Sequence, residues 1–203
     1  MRLFSYIVVH DGGFAPNPFW KMCTLACCKP MVRSAAEKGD WVVGLRPKKE
    51  GNRIVYFMEV TDKKTYAEYF TEREYSKKKP NVRSKDRRRR NGDNIYKPTG
   101  RGAYRQLPSV HSHRDGSEKE STKRVDLHSD NVLISRKFTY WGKERKLLPS
   151  SLKFLIVGRG HRSHFSQKEI DTFLKFAKKY PNQGRVGYPS KWDSVPEQQK
   201  GCR

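Results

Sequence analysis

Long hydrophobic runs are absent from this sequence, and hydrophobic residues are few overall. They make up 34% of the 203 residues, and no stretch approaches the roughly 18 consecutive apolar residues of a membrane-spanning helix. The N-terminus also lacks the basic, apolar and small-residue regions of a secretory signal. We therefore expect a cytoplasmic protein with no membrane partner, long enough for one domain with its own core.

Cysteine is scarce as well. The chain has four cysteines, of which Cys23, Cys27 and Cys28 lie close together. Adjacent cysteines rarely bridge each other, and so few at this length do not form a disulfide framework, so we expect reduced thiols. Their spacing, taken with His111 and His113, does not match the paired ligands of a zinc site. We predict no metal and no cofactor.

Acidic residues are outnumbered by basic ones. The chain has 21 aspartates and glutamates against 44 lysines and arginines, a formal net charge of +23. This charge favours a polyanionic partner, either a nucleic acid, with DNA preferred, or a nucleotide. A generically basic soluble protein is the alternative. The motif Gly-x-Gly-x-x-Gly does not follow any predicted strand, which argues against a dinucleotide-binding fold.

The positive charge is concentrated in residues 73–105, which we call the basic block. It has 13 lysines and arginines against three acidic residues. We interpret it as a loop or insertion within a single domain over residues 1–190, followed by a loose tail over 191–203. It is either a solvated charge run or a grip on phosphates. The predicted phosphate-binding residues are Lys77, Lys78, Lys79, Arg87, Arg88, Arg89 and Arg90.

Regular elements are predicted on both sides of the basic block. β-branched and aromatic residues predict strands, and capping boxes at Thr65 and Ser166 predict two helix starts. The order lacks alternating βα units, which favours an α+β fold with a mixed, mostly antiparallel curved sheet or a small barrel and peripheral helices. The predicted strands cover residues 3–9, 41–45, 53–60, 131–135, 137–140 and 153–157, and the predicted helices cover 31–37, 65–70 and 166–180.

Short motifs along the chain resemble one known family. They include YIVVHD from Tyr6, FAPNPF from Phe14, GDWVVG from Gly39, GDNIY from Gly92 and GRGHR from Gly158. Together they are similar to nucleotide modification associated domain 2, over about residues 3–189. The resemblance implies a role beside bacterial or phage systems that modify DNA bases or nucleotides. It implies no particular reaction.

The layout of residues 33–62 is similar to the EVE branch of the PUA-like barrels. A short helix, a Gly-Asp turn, a strand, a charged turn and a second strand follow one another. Such domains often bind modified or flipped bases, so this resemblance implies an aromatic pocket beside a small PUA-like barrel. Trp20, Trp41, Tyr56 and Tyr140 are the candidate walls on which a base could stack. Ordinary core packing is the alternative for each ring.

Polar residues near predicted loops supply the candidate site. His10 closes the first strand, ahead of a loop that two glycines and two prolines make stiff enough to hold functional groups. Asn94 could read a base edge with two hydrogen bonds, and the glycines beside His161 could free backbone amides for a phosphate. The predicted nucleotide-binding or base-binding residues are Asn17, Trp20, Lys29, Arg33, Asp93, Asn94, Tyr96, His161 and Arg162.

We predict from these features a protein that binds nucleic acid or a nucleotide. It would recognise or help to process modified bases in a bacterial or phage DNA-modification or defence system. The first alternative is an enzyme acting on a nucleotide or nucleobase, with His10, Asp11, Cys23 or His111 in catalysis. A basic scaffold for protein interactions is the second alternative. No motif has a spacing that dictates one reaction.

Overall fold

The computed structural model describes residues 1–192. No helix within this range is long and apolar enough to cross a membrane. Short 3₁₀ turns at Lys48–Glu50, Arg73–Lys78, Gly142–Glu144 and Ser150–Leu155 connect the longer elements. The strands and helices, in chain order, are β1 (Leu3–Ile7), β2 (Cys23–Leu25), α1 (Pro30–Ala35), β3 (Trp41–Leu45), β4 (Ile54–Glu59), β5 (Asp62–Thr65), α2 (Tyr66–Thr71), α3 (Arg87–Arg90), β6 (Tyr96–Gly100), β7 (Ala103–Gln106), α4 (Glu120–Asp126), β8 (Asn131–Ser135), β9 (Lys137–Tyr140), β10 (His161–Arg162), α5 (Gln167–Ala177) and β11 (Gly184–Arg185).

Six strands form the main sheet, in the order β10, β1, β3, β4, β9 and β11. The pairs β1 with β3 and β9 with β11 are parallel, and the other neighbours are antiparallel. The register shifts between Gly44 and Leu45, where β3 pairs with β4. An irregularity of this kind increases the local twist of a sheet.

Within residues 1–192 the structure also has two smaller sheets. Strands β2, β8 and β5 form an antiparallel sheet that shares a core with the main sheet, and β6 and β7 form a hairpin. Across residues 1–192 these sheets remain open. The predicted α+β class with a curved, mostly antiparallel sheet is confirmed, and the barrel in that prediction is not what forms.

The main sheet has a hydrophobic core on each face, because side chains alternate along its strands. On one face, Phe4 packs against residues of β2 and β8. On the other face, Phe57 packs against Phe173 of α5, with ring centres 5.9 Å apart. Both cores are assembled from distant parts of the chain.

Three of the four predicted aromatic walls belong to these cores. Tyr56 and Tyr140 have no exposed surface and lie in the core shared with the smaller sheet. Trp41 meets Phe173 edge-on, with ring centres 5.5 Å apart. Only Trp20 lies outside the cores, at the edge of a groove described below.

The two predicted capping boxes are both present. Thr65 and Ser166 accept hydrogen bonds from the backbone amides of Glu68 and Glu169, whose carboxylates return the contact. Helix α5 starts at the predicted position and ends at Ala177, three residues before the predicted end.

One predicted strand, over residues 153–157, is wrong. A 3₁₀ turn at Ser150–Leu155 occupies this part of the chain. Residues three apart lie on the same face of a 3₁₀ helix, so Leu152 and Leu155 both reach the core beneath α5. A short run of apolar residues is compatible with a strand and with such a turn, so the sequence pattern alone does not distinguish them.

The basic block folds back on itself. The backbone amide of Asn94 donates to the Lys78 carbonyl at 3.1 Å, and that of Asn81 donates to the Arg89 carbonyl at 2.8 Å. A Cβ atom at Gly92 would lie 2.3 Å from the Lys78 carbonyl oxygen, so the close approach of these segments requires glycine. The block is therefore an ordered part of the fold.

The chain beyond Pro189 begins with two residues that contact the N-terminal loop. The backbone amide of Lys191 donates to the Asp11 carbonyl at 2.9 Å, and Trp192 packs against Phe19 with ring centres 5.2 Å apart. The rest of the tail predicted over 191–203, residues 193–203, lies outside the described residues.

Candidate nucleic-acid interface

Lys78, one of the predicted phosphate-binding residues, lies inside the protein with 1% of its surface exposed. Its ammonium donates to the Asn17 carbonyl at 2.8 Å and to Asn17 Oδ1 at 2.7 Å, and it lies 3.1 Å from Thr24 Oγ1. Burial lowers the pKa of Lys78 to about 8, although the charge of Asp93 acts in the opposite direction. A phosphate in solution cannot reach this ammonium, so Lys78 is not available as one of the predicted phosphate-binding residues.

Asp93 and Asn94 complete this buried cluster. The Asp93 carboxylate accepts hydrogen bonds from Thr24 Oγ1 at 2.6 Å and from the Tyr69 hydroxyl at 2.9 Å, and burial raises its pKa. The Asn94 amide donates to the Tyr69 carbonyl at 2.6 Å. With Asn17 bound to the buried lysine, three predicted base-binding residues instead fasten the N-terminal loop to the basic block.

Arg33, also predicted to bind a base, is completely buried. Its guanidinium donates four hydrogen bonds to backbone carbonyls, those of Cys28 at 2.8 Å, Ser129 at 2.8 Å, Asn131 at 2.5 Å and Asp126 at 2.6 Å. These bonds tie α1 to the segment that runs from α4 into β8. The geometry gives Arg33 a structural role.

His111 and Asp126 form a buried, hydrogen-bonded pair, with Nδ1 2.7 Å from Oδ2. The carboxylate also accepts from the Cys28 backbone amide at 2.6 Å and from the Tyr96 hydroxyl at 2.8 Å. Burial alone would raise the pKa of Asp126, but the charge and hydrogen bond of His111 outweigh burial and lower it. The hydroxyl of Tyr96, a predicted base-binding residue, is therefore engaged in a hydrogen bond to a buried carboxylate.

Cys27, His111 and Asp126 are the described residues whose donor atoms lie close enough to hold a metal ion, within 4.8 Å of one another. The carboxylate already accepts the hydrogen bonds given above. Burial, together with the nearby carboxylate, raises the pKa of the Cys27 thiol well above its usual range. Hydrogen bonds account for this cluster, and we assign no metal to it.

Asp11 and Cys23, predicted for catalysis in the enzyme alternative, are enclosed by the core. Asp11 accepts hydrogen bonds from the Tyr140 hydroxyl and from the Ser190 backbone amide and hydroxyl, the last two at 2.8 and 2.7 Å. Burial raises the pKa of the Cys23 thiol, which disfavours a nucleophilic thiolate. His10, the residue before Asp11, is half-buried. Its catalytic role, like that of His111, stays a prediction.

His161 and Arg162 form β10, at one edge of the main sheet. Arg162 pairs with Glu169 at 3.0 Å, which holds the start of α5. Burial lowers the pKa of both Lys29 and His161, and the Lys29 ammonium lies 5.3 Å from the centre of the Tyr6 ring. These three predicted nucleotide-binding residues lie away from the opposite edge, where three other candidates, Trp20, Lys77 and Arg88, meet.

At that opposite edge, a groove opens between β9, β11 and the N-terminal loop. It has a volume of about 870 Å³, and we call it the basic groove. Among the described residues one carboxylate lines it, that of Glu74, and this carboxylate pairs with Arg136. Its cationic lining residues are Lys21, Arg73, Lys77, Arg88, Arg136 and Arg185. Six cations against one paired carboxylate make the groove attractive to an anion.

Trp20 stands among these cations. The Arg88 guanidinium lies 4.5 Å from the indole centre and the Lys77 ammonium lies 5.5 Å from it. The Asp86 carboxylate accepts hydrogen bonds from Arg88 Nε at 3.0 Å and from Arg88 Nη2 at 2.8 Å, which fixes that guanidinium in place. The indole Nε1 is buried and has no hydrogen-bond partner among the described residues. Buried donors are nearly always paired, so this one is an exception.

The turn that carries Trp20 is strained. Asn17 and Thr24 pair as an antiparallel bridge, and the chain reverses between them at Trp20 and Lys21. Both turn residues have positive φ, 64° and 60°, as in a type I′ turn, which strongly favours Asn-Gly. Residues held in such conformations cost about 1–3 kcal/mol each and cluster at functional sites.

Three lining residues of this groove are among the residues that the sequence predicts to bind nucleic acid or a nucleotide. Trp20, Lys77 and Arg88 were expected in a nucleotide site, and the structure brings them together. Arg136 and Arg185 were missed. Arg136 follows β8 and Arg185 lies in β11, both far along the chain, and no local motif surrounds either residue. Lys21 and Arg73 were also missed. For Lys21, the one signal in the sequence was that a tryptophan and a lysine occupy two positions where a tight turn favours small residues.

The fold and the groove define an α+β protein with an open mixed sheet and a strongly cationic groove at one sheet edge. A family model for nucleotide modification associated domain 2 matches residues 1–196, so the chain belongs to that family. This match confirms the resemblance found in the motifs and associates the chain with nucleotide modification. No curated protein and no solved structure matches it significantly.

Proposed function

We propose that this protein binds nucleic acid or a nucleotide, with phosphates in the basic groove and a base against Trp20. Within a bacterial or phage DNA-modification or defence system, it would recognise or help to process a modified base. The observation that carries the proposal is the strained Trp20 and Lys21 turn at the wall of a groove with six cations and one paired carboxylate. The family's association with nucleotide modification supports it.

Phosphate is the anion that this geometry suits. The cations come from several separate segments and surround an open groove, so they can contact successive phosphates. Each neutralised phosphate releases condensed counterions, which makes such binding strong and dependent on salt. The indole adds a stacking surface, worth about 1–3 kcal/mol per base.

Removing three exposed groove cations should weaken binding and its salt dependence. In the variant Lys21→Gln, Arg73→Gln, Lys77→Gln, we expect the slope of log affinity against log salt to fall by about 2, since a single strand contributes about 0.7 per phosphate contact. Affinity at moderate salt should fall roughly 100-fold on the same basis. Fluorescence anisotropy with modified and unmodified single-stranded oligonucleotides, titrated at several salt concentrations, measures both quantities.

A matched control removes the same charge elsewhere. Lys168, Lys175 and Lys179 are exposed and none of them lines the basic groove. Their replacement by glutamine should change affinity only through the general loss of charge, by much less than the groove variant. Equal losses in the two variants would mean that overall charge, and not the groove, drives binding.

Relaxing the strained turn should raise the stability of the protein and lower its affinity for oligonucleotides. The change Trp20→Asn with Lys21→Gly installs the residues that a type I′ turn prefers, so we expect the free energy of unfolding to rise by about 1 kcal/mol. Oligonucleotide affinity should fall about tenfold or more, because the stacking surface is gone. Urea denaturation and anisotropy measure the two effects.

The single change Lys21→Gly is the control for this turn. It relieves strain at one residue and keeps the indole, so stability should rise, while affinity should fall only by the share of one phosphate contact, about fivefold. If the double variant binds as tightly as this control does, Trp20 is not a stacking surface.

A further inference from the structure

We propose that the basic groove continues across the basic block into a second groove, and that the two together hold a single strand of nucleic acid. This inference rests on the proposed function and extends it from one nucleotide to an extended strand. The second groove has a volume of about 1180 Å³ and lies between the basic block and the segment that follows β7.

The two grooves meet at the basic block. Ser76 lines both of them. Arg88 lines the basic groove and its neighbour Arg89 lines the second groove, because adjacent residues of the short helix α3 point to different sides. Helix α3 therefore separates two cationic channels that share one wall.

The second groove also has an excess of positive charge. Of the residues that the structure describes, the cations Lys79, Arg83, Arg89 and Arg114 line it, with Asp115 as the one carboxylate. Asp115 is occupied by the backbone amide and hydroxyl of Ser117, at 2.9 and 2.6 Å. Phosphates leaving the first groove would meet four more cations here.

The wall between the grooves holds its shape through internal hydrogen bonds. Asp86 caps α3 by accepting from the Arg88 backbone amide at 2.9 Å, and Arg90 Nη1 donates to the Ser84 carbonyl at 2.7 Å. The cations are therefore presented on an ordered ridge. A preorganised site loses less conformational entropy when it binds.

Features of both grooves favour a single strand over a duplex. The first groove offers the Trp20 indole, and the second offers Val82, 48% exposed, beside exposed Pro108. Bases of a single strand can be splayed onto such surfaces, whereas the bases of a duplex are stacked inside the helix. Both DNA and RNA strands have this chemistry.

A length series tests the inference. The probes are labelled oligothymidylates of about four and about twelve nucleotides, matched uridine strands and a duplex of the longer length. The variant Arg83→Gln with Arg114→Gln removes two exposed cations of the second groove. We expect it to lower affinity for the longer strand about tenfold and to leave the shorter strand unaffected. The three-residue variant of the basic groove should weaken both strands, and Lys168→Gln with Lys175→Gln is the charge-matched control.

The outcomes distinguish the two proposals. If the basic-groove variant weakens both strands but the second-groove variant weakens neither, the proposed function stands and the continuous path is wrong. A wild-type affinity that does not increase with strand length, or a duplex that binds as tightly as the longer strand, also overturns the path. If the parent protein binds none of the probes, both proposals fail. The comparison of thymidine with uridine strands decides which nucleic acid is preferred.

Discussion

Replacing Lys78 by methionine is expected to lower the free energy of unfolding by about 3–5 kcal/mol, because it removes one partner from a buried charged cluster. Methionine fills much of the volume but donates no hydrogen bond. The variant would leave the Asn17 carbonyl and side-chain oxygens without their donor and Asp93 without a nearby positive charge. Urea denaturation monitored by circular dichroism measures the loss.

Two further variants make the Lys78 result specific. Lys77→Met changes the exposed neighbour and should alter stability by no more than about 0.5 kcal/mol. Adding Asp93→Asn to Lys78→Met removes the uncompensated carboxylate, so part of the lost stability should return. A Lys78→Met protein as stable as the Lys77→Met protein would show that the ammonium is not buried.

The Lys78 variant also has a pH signature. Burial lowers the pKa of this lysine to about 8 from an ordinary 10.5, so between these values the unfolded chain binds more protons than the folded chain. Stability from this residue therefore rises as pH rises through this window, by up to about 3 kcal/mol. The neutral amine still donates hydrogen bonds, so it keeps the buried cluster satisfied. The stability difference between parent and Lys78→Met should be larger near pH 10 than near pH 7.

Replacing Arg33 by methionine should be as damaging, with an expected loss of about 3–5 kcal/mol. Four backbone carbonyls would lose their charged donor in a site without solvent. Arg33→Lys should recover little, since one ammonium cannot reproduce the planar fork of donors. Thermal and urea unfolding of the purified variants measure the effect.

Arg124→Met is the matched control, because Arg124 is exposed on α4. The same chemical change there should cost no more than about 0.5 kcal/mol. The folded fraction of Arg33→Met should keep its oligonucleotide affinity, because Arg33 does not line either groove. If the Arg33→Met protein has parental stability but loses its oligonucleotide affinity, Arg33 belongs to the binding site.

The elements that local sequence determined are those with a strong pattern. Strands β3, β8 and β9 have their predicted bounds, and the capping boxes start α2 and α5. The hairpin of β6 and β7 was missed, because nearly all of it lies in the basic block and it lacks the apolar face that would indicate strands. The 3₁₀ turn at Ser150–Leu155 was mistaken for a strand for the reason given above.

The tertiary structure decided which charged residues are available to a ligand. Lys77, Lys78 and Lys79 are consecutive and chemically identical, yet only Lys78 is buried. The 3₁₀ turn at Arg73–Lys78 places Tyr75 and Lys78 on one inward face.

The oxygens that receive the Lys78 ammonium come from residues more than fifty positions away in the chain. Local sequence does not encode such long-range partners. By itself the sequence determined the excess of positive charge, its concentration in the basic block and the family. The three-dimensional arrangement decided which of these charged residues are structural and which line the two grooves.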